Sequence, residues 1–277
     1  MSLRKLPEVQ AFERPKGLSW EPDEAAIERW RPEVRAAAED GATISIYEDI
    51  GYDPWTGGGM TAKRVAGLLR SFGEVPVTVN VNSPGGDFFE GIAIYSLLRD
   101  HKAEVTVRVM ALAASAASVI AMAGDRVLIS EAGFVMVHNA WACACGDRLA
   151  FRELADTLEP FDSAMAGIYA ARSGKTRAEA AAWMDKTTWM GAETAIENGM
   201  ADDLIPWDQV TEDNTKETRA RSALKVMDTA LARQNMPRSE RRALLGQLRG
   251  AQPAAPPATH DAGAIAAFRR LADTIQS

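Results

Sequence analysis

Three short motifs in the sequence carry groups that together suit acyl-transfer chemistry. His138 follows an apolar, β-branched run, and catalytic groups gather at strand ends in α/β proteins. Ser115 stands among alanines at the start of an Ala-rich helix, where unpaired amides and the helix dipole stabilise negative charge. A serine nucleophile needs a general base, and histidine is the usual base near neutral pH. Ser115 and His138 are therefore the candidate nucleophile and base.

The third motif supplies a donor for the oxyanion that such a reaction forms. Ser83-Pro-Gly-Gly86 follows a predicted strand, and paired glycines let a backbone N–H face a bound group without a Cβ in the way. Each motif alone has a simpler interpretation: a structural histidine, a helix-capping serine and a tight turn. Ser118 competes with Ser115 as the nucleophile, but we expect it to point into the packing face of the helix.

The other two histidines are weaker candidates for a general base. His101 falls in a charged stretch that we expect on the surface, and His260 falls in a linker. Cys143 and Cys145 form a C-x-C pair with no partner except His138, which makes a poor zinc site. The sequence therefore predicts no metal and no cofactor.

Strands alternate with helices along the middle of the chain, which predicts an α/β fold with a largely parallel sheet. Predicted strands span 43–47, 77–81, 105–109, 126–129 and 134–137. Predicted helices span 21–38, 91–99, 113–123, 148–172, 177–184 and 192–198, and another begins after Thr61 as its N-cap. Residues 209–250 also have helical character.

The length of 277 residues fits one large domain with appendages. We expect an N-terminal appendage over 1–40, a catalytic domain over 41–207 and a helical C-terminal tail over 208–277. Within that tail, 251–258 form a Pro/Ala linker and 262–275 a last short helix.

Composition and charge exclude several classes of protein. Lys and Arg number 31 against 38 Asp and Glu, and the net charge of −7 argues against a dedicated nucleic-acid binder. The longest apolar run, 110–124, is shorter than a membrane-spanning helix, and no signal peptide is recognisable. Two cysteines this close form no disulfide framework, which fits the cytoplasm.

Taken together, the motifs resemble the ClpP-type serine peptidases. The resemblance covers about 43–205 and rests on Asn82-Ser-Pro-Gly-Gly-Asp87, Ala113-Ala-Ser-Ala-Ala-Ser118 and Met136-Val-His138. It implies the ClpP/crotonase-like spiral of β-α-β units, with helical appendages at both ends. Within that family the chain looks most like the phage and prophage head maturation proteases.

The resemblance assigns roles to individual residues. Ser115 occupies the nucleophile position and His138 the general-base position, while Gly86 and Ala116 occupy the two backbone oxyanion-donor positions. The family has a carboxylate that orients the histidine, but the aligned position here holds Thr187. Asp185, two residues earlier, is the alternative third member.

The resemblance also implies an activity and partners. It implies an ATP-independent serine endopeptidase that forms homo-oligomeric rings, heptamers or stacked rings, and cleaves capsid and scaffold proteins and its own tail. Such a protein works in the host cytoplasm or inside the phage procapsid, with no membrane and no dedicated nucleic-acid partner. Three alternatives remain: a housekeeping ClpP subunit that works with an ATPase, a catalytically decayed scaffold or assembly protein, and a crotonase-type acyl-CoA enzyme.

Overall fold

The computed structural model describes residues 6–7, 9, 12–15, 22–38, 41–52, 58–142, 146–213, 215–234, 236 and 238–250. The chain divides into two compact units, Met1–Asn235 and Met236–Ser277. The predictions for Cys143, Cys145, His260, the linker 251–258 and the helix 262–275 lie outside the described residues. The domain boundaries at 40/41 and 207/208 stay predictions.

Within the described residues, seven strands form one mostly parallel sheet in the first unit. Five of them run parallel, in the order β2 (Thr43–Ile46), β3 (Val77–Ser83), β4 (Val105–Ala114), β5 (Arg126–Ile129) and β8 (Asp203–Leu204). The far half of β4 pairs in parallel with β6 (Phe134–Val137), which pairs antiparallel with β7 (Thr188–Gly191). The predicted α/β class is confirmed.

Helices cover this sheet and follow the predicted positions closely. They are α2 (Ala62–Phe72), α3 (Phe88–Arg99), α4 (Ala116–Ala121), α5 (Arg148–Ser173), α6 (Arg177–Asp185) and α7 (Ala192–Glu197). Thr61 caps α2 as predicted, because its side chain accepts a hydrogen bond from the amide of Arg64. The core is built from aliphatic residues of β3 and β4, which are buried because helices and chain segments cover the sheet.

The N-terminal region is a short helix and a strand, so the prediction of one helix over 21–38 was wrong in its second half. Helix α1 (Glu24–Arg29) ends before Pro32, which lacks the amide that a continuing helix needs. Strand β1 (Val34–Ala36) then pairs antiparallel with β9 (Val210–Glu212). Helix α8 (Lys216–Arg233) follows β9, and α9 (Arg238–Gly250) belongs to the second unit.

Two further expectations need correction. Strand β4 continues through Ala114 because its end pairs with β6, so the helix predicted from residue 113 begins at Ala116. His101 is 8% exposed rather than on the surface, and its Nε2 lies 2.7 Å from the carbonyl oxygen of Val75. Among the residues described, no helix combines the length and apolarity required to span a membrane.

Candidate active site

The turn between β4 and α4 holds Ser115 in a strained backbone conformation. Ser115 lies between Ala114 and Ala116 with φ 53° and ψ −125°. In the described part of the chain, Ser115 and Thr187 are the two non-glycine residues with positive φ. Such a conformation costs about 1–3 kcal/mol and persists only where the surroundings impose it. The Ser115 amide donates a 3.0 Å hydrogen bond to the carbonyl of Met136, which ties the serine to β6.

His138 directly follows β6, and its ring reaches the serine. Nε2 of His138 lies 2.7 Å from Oγ of Ser115. Burial lowers the pKa of the His138 imidazole below its ordinary value of 6.5, and the carboxylate of Asp23 partly opposes this shift. A neutral imidazole at this distance can accept the serine proton near neutral pH. The structure thus brings together the two side chains that the sequence singled out.

The glycine pair after β3 forms a rigid loop beside the serine. Gly86 has φ 142°, and a Cβ at this position would lie 2.3 Å from the carbonyl oxygen of Ile50, so a larger residue does not fit. The amide of Ile50 donates to the carbonyl of Gly85 at 2.8 Å, and the amide of Asp87 donates to that of Ile50 at 2.9 Å. These two hydrogen bonds fix the orientation of the Gly86 peptide.

Two residues with unpaired backbone amides line the same cavity as the serine. Gly86 and Ala116 line a cavity of about 20 Å³ together with Ser115 and His138. Within the described residues, the amides of Gly86 and Ala116 have no hydrogen-bond partner. Two unpaired donors beside a nucleophile suit the negative oxygen of a tetrahedral intermediate.

Beside Asn139, the remaining wall of this cavity is formed by apolar residues. Phe88 and Met165 line it and are 5% and 4% exposed. The ring of Phe88 packs against that of Phe161, with 5.0 Å between centroids. A small apolar side chain of a substrate therefore has complementary surroundings next to the serine.

Ser118 is fully buried and its hydroxyl is engaged inside the fold. Its Oγ donates a 2.6 Å hydrogen bond to the carbonyl of Ser115 and lies 2.8 Å from the hydroxyl of Tyr169. Ser118 therefore packs inward, as predicted, and leaves the cavity to Ser115.

Thr187 lies level with His138 on the neighbouring strand. Strands β6 and β7 are antiparallel with Val137 opposite Thr188, so the next residues outward are His138 and Thr187. Thr187 is exposed and adopts φ 49°. Thr187 therefore lies where a residue that orients His138 is expected, but its hydroxyl carries no negative charge to stabilise an imidazolium.

Asp185 contacts the neighbour of the histidine. Its Oδ1 accepts a 2.9 Å hydrogen bond from the side-chain amide of Asn139. In the part of the chain that the structure describes, neither Thr187 nor Asp185 forms a hydrogen bond with His138. The role of each as the third member stays a prediction.

Sequence reasoning missed Asp23, whose charge acts on His138. An acidic residue just before a run of helix formers is an N-cap signal, and Asp23 does cap α1, accepting a 3.1 Å hydrogen bond from the amide of Ala26. The sequence offered no sign that α1 packs beside the site, because those contacts join residues more than eighty positions apart.

A family model described as Clp protease matches residues 64–207, which is more than half of the chain. The chain belongs to the Clp protease family. It is 29% identical over 131 residues to an ATP-dependent Clp protease proteolytic subunit of Bacteroides fragilis, covering 47% of this chain and 63% of that protein. It is 30% identical over 128 residues to the subunit of that name from Chlorella vulgaris, covering 46% and 64%.

This member of the Clp protease family spans about three-fifths of the length of the curated relatives it matches. Among solved structures, a mutant of ClpP1 from Listeria monocytogenes has a similar fold. The TM-score is 0.50 at 20% identity, and the match covers 64% of this chain and 94% of that one. The ClpP fold expected from the sequence is thereby confirmed.

Proposed function

We propose that this chain is a serine endopeptidase with Ser115 as nucleophile and His138 as general base. The observation that carries the proposal is the 2.7 Å contact between Ser115 Oγ and His138 Nε2 beside two unpaired amides. Oγ attacks the scissile carbonyl as His138 takes its proton, and the amides of Gly86 and Ala116 hold the oxyanion. His138 then protonates the leaving amine, and water hydrolyses the acyl-enzyme.

Covalent labelling with a fluorophosphonate tests this assignment. Oγ displaces fluoride from phosphorus as His138 accepts the proton, so labelling requires both side chains. We expect labelling of the wild type and of Ser118→Ala, and loss of labelling in Ser115→Ala and His138→Ala. Ser118 is the matched control because it lies one helical turn away and points inward. Labelling that survives in Ser115→Ala contradicts the proposal.

Failure of the folded wild type to react would favour the decayed assembly-protein alternative. That alternative is motivated by Thr187 at the carboxylate position. The retained nucleophile, base and donors support an enzyme, since decay would not preserve the arrangement of all four.

We further propose that the natural reaction is ATP-independent maturation of phage proheads in the host cytoplasm or procapsid. The amino-acid sequences of the motifs around Gly86 and Ser115 support the branch of phage and prophage head maturation proteases. The alternative, a proteolytic subunit that works with an ATPase, is favoured by the names of the curated relatives. Incubation with prohead scaffold protein in the absence of nucleotide distinguishes the two functions. We expect cleavage of the scaffold protein without ATP. Cleavage that requires a Clp ATPase and ATP contradicts the maturation proposal.

We propose that the subunits assemble into rings, most simply heptamers. Leu149 and Phe151 at the start of α5 support this, because these large apolar side chains are 61% and 51% exposed in the single chain. Native mass spectrometry of Leu149→Glu and Phe151→Glu is expected to show smaller species than the wild type. Val226→Glu is the control, because Val226 is 68% exposed on α8, and we expect its rings to stay intact. Intact rings in Leu149→Glu and Phe151→Glu as well contradict an interface at the start of α5.

A further inference from the structure

Helix α1 packs directly against the strands that carry the catalytic pair. Ala26 of α1 and Trp30, which caps its C-terminus, form a buried cluster with Leu112, Ala114 and Met136, and Trp189 packs against it. The guanidinium of Arg29 lies 4.1 Å from the centre of the Trp189 ring. Ala114 precedes the nucleophile Ser115 and Met136 lies two residues before the base His138, so α1 covers the ends of the two strands that lead to these residues.

The strand register indicates which face of β6 and β7 is covered by α1. Met136 lies opposite Trp189 across β6 and β7, and α1 contacts both. Alternate residues of a strand share a face, and His138 directly follows β6, so continued alternation from Met136 assigns His138 to the covered face. Asp23 lies one helical turn before Ala26 on the contacting face of α1.

The Asp23 carboxylate is held in place by its role as a helix cap. Its Oδ1 accepts the amide of Ala26, and within the described residues no other hydrogen bond to this carboxylate is formed. Of the charged groups on neighbouring elements, Asp185 binds Asn139, and Asp162 accepts a 2.6 Å hydrogen bond from the backbone after the histidine. On α1 itself, Glu24 faces the helix N-terminus and Arg29 lies over Trp189.

We propose that Asp23 is a positioning residue that stabilises the His138 imidazolium, a charge that Thr187 does not supply. The carboxylate belongs to a segment that precedes the family-matched residues. The charge of Asp23 raises the pKa of His138 against the lowering effect of burial, which agrees with this geometry. The catalytic consequence rests on the proposed function, whereas the electrostatic coupling does not.

The coupling is measured directly by NMR titration of ¹³C-labelled histidine in the full chain. The sequence contains three histidines, so His138 is assigned by its absence in His138→Gln. In Asp23→Asn we expect a lower His138 pKa, because the charge is removed while the asparagine still caps the helix. Glu24→Gln removes the adjacent charge and is expected to leave this pKa unchanged. An unchanged His138 titration in Asp23→Asn overturns the proposal, as does an equal shift in both variants.

The catalytic part is tested by kinetics and by rescue. Asp23→Asn is expected to lower kcat about tenfold with little change in KM, because the charge acts on the transition state. Thr187→Asp in the Asp23→Asn background is expected to restore most of the lost kcat, since it places a carboxylate level with the histidine. A kcat equal to that of the wild type in Asp23→Asn overturns the positioning role. A wild type that hydrolyses nothing removes the proposed function, while the titration still decides the coupling.

Discussion

The Trp30 side chain is hydrogen-bonded to the backbone of Asn82, whose own side chain is hydrogen-bonded to the segment that follows Trp30. Nε1 of Trp30 donates a 2.9 Å hydrogen bond to the carbonyl oxygen of Asn82. The Asn82 side chain donates back to the carbonyls of Arg31 and Val34, at 2.6 Å and 2.9 Å. Asn82 lies just before the glycine pair, so these hydrogen bonds connect the N-terminal segment to the strand that leads to Gly86, a proposed oxyanion donor.

Trp30→Phe is therefore expected to destabilise the fold. The substitution keeps the aromatic packing but removes the indole donor to a buried carbonyl, a hydrogen bond that contributes roughly 0.5–1.5 kcal/mol. Urea unfolding at a fixed protein concentration measures the change. Trp207→Phe is the control, because Trp207 is 85% exposed and its replacement should have little effect; equal effects of the two substitutions would contradict the prediction.

The pH dependence of kcat/KM is expected to follow His138. The base must be neutral to accept the serine proton, and burial lowers its pKa below 6.5. Activity should therefore persist as pH falls below 6.5 and decline only when pH passes through the lowered value. Circular dichroism at each pH separates this decline from unfolding. A decline centred at or above 6.5 in folded protein would show that burial does not control the base.

Gly86→Ala is expected to reduce kcat/KM by about 10²–10³-fold, the range for loss of one oxyanion donor. The added Cβ would meet the Ile50 carbonyl and force the peptide to turn away from the serine. Gly174→Ala provides a control for backbone strain alone, since Gly174 has φ 72° with open space around its Cβ position. Peptide hydrolysis by both purified variants is the measurement, and comparable losses in the two would assign the effect to strain.

Met165→Ala is expected to change the preference for the substrate side chain next to the scissile bond. The cavity beside Ser115 measures about 20 Å³ and is bounded by Met165 and Phe88, so the wild type should prefer alanine to leucine there. The truncation enlarges the cavity and should raise kcat/KM for leucine relative to alanine by about tenfold. Fluorogenic peptides that differ only at this position measure the ratio; a ratio that stays constant would place the specificity pocket elsewhere.

Asp202→Asn is expected to destabilise the first unit by about 3–5 kcal/mol, because it removes a carboxylate that pairs with a buried cation. The Arg172 side chain is fully buried, and its Nη2 lies 2.5 Å from Oδ2 of Asp202. Glu74→Gln breaks the exposed pair with Lys102 and should leave the unfolding midpoint unchanged. Chemical denaturation of both variants tests the contrast, and a small effect in Asp202→Asn would show that the arginine finds another partner.

Local sequence patterns were sufficient for much of the central fold. The runs that became β3, β4, β5 and β6 are apolar and β-branched, so their burial and extended form follow from residue type. Thr61 marked the start of α2 through its own capping chemistry. Strands β8 and β9, with two and three residues, are too short to show a pattern, and β7 lacks the aliphatic β-branched residues of β3 to β6; all three are stabilised by distant partners.

The sequence by itself determined the chemical groups of the candidate site. A serine among alanines, a histidine at a strand end and a glycine pair each carry their chemistry in their residue type and immediate neighbours. The tertiary structure was needed to bring Ser115 Oγ within 2.7 Å of His138 Nε2 and to pack α1 against the strands that precede these two residues. The physical reason is that these relationships depend on the pairing of β4 with β6 and the packing of α1, which join segments far apart in the chain.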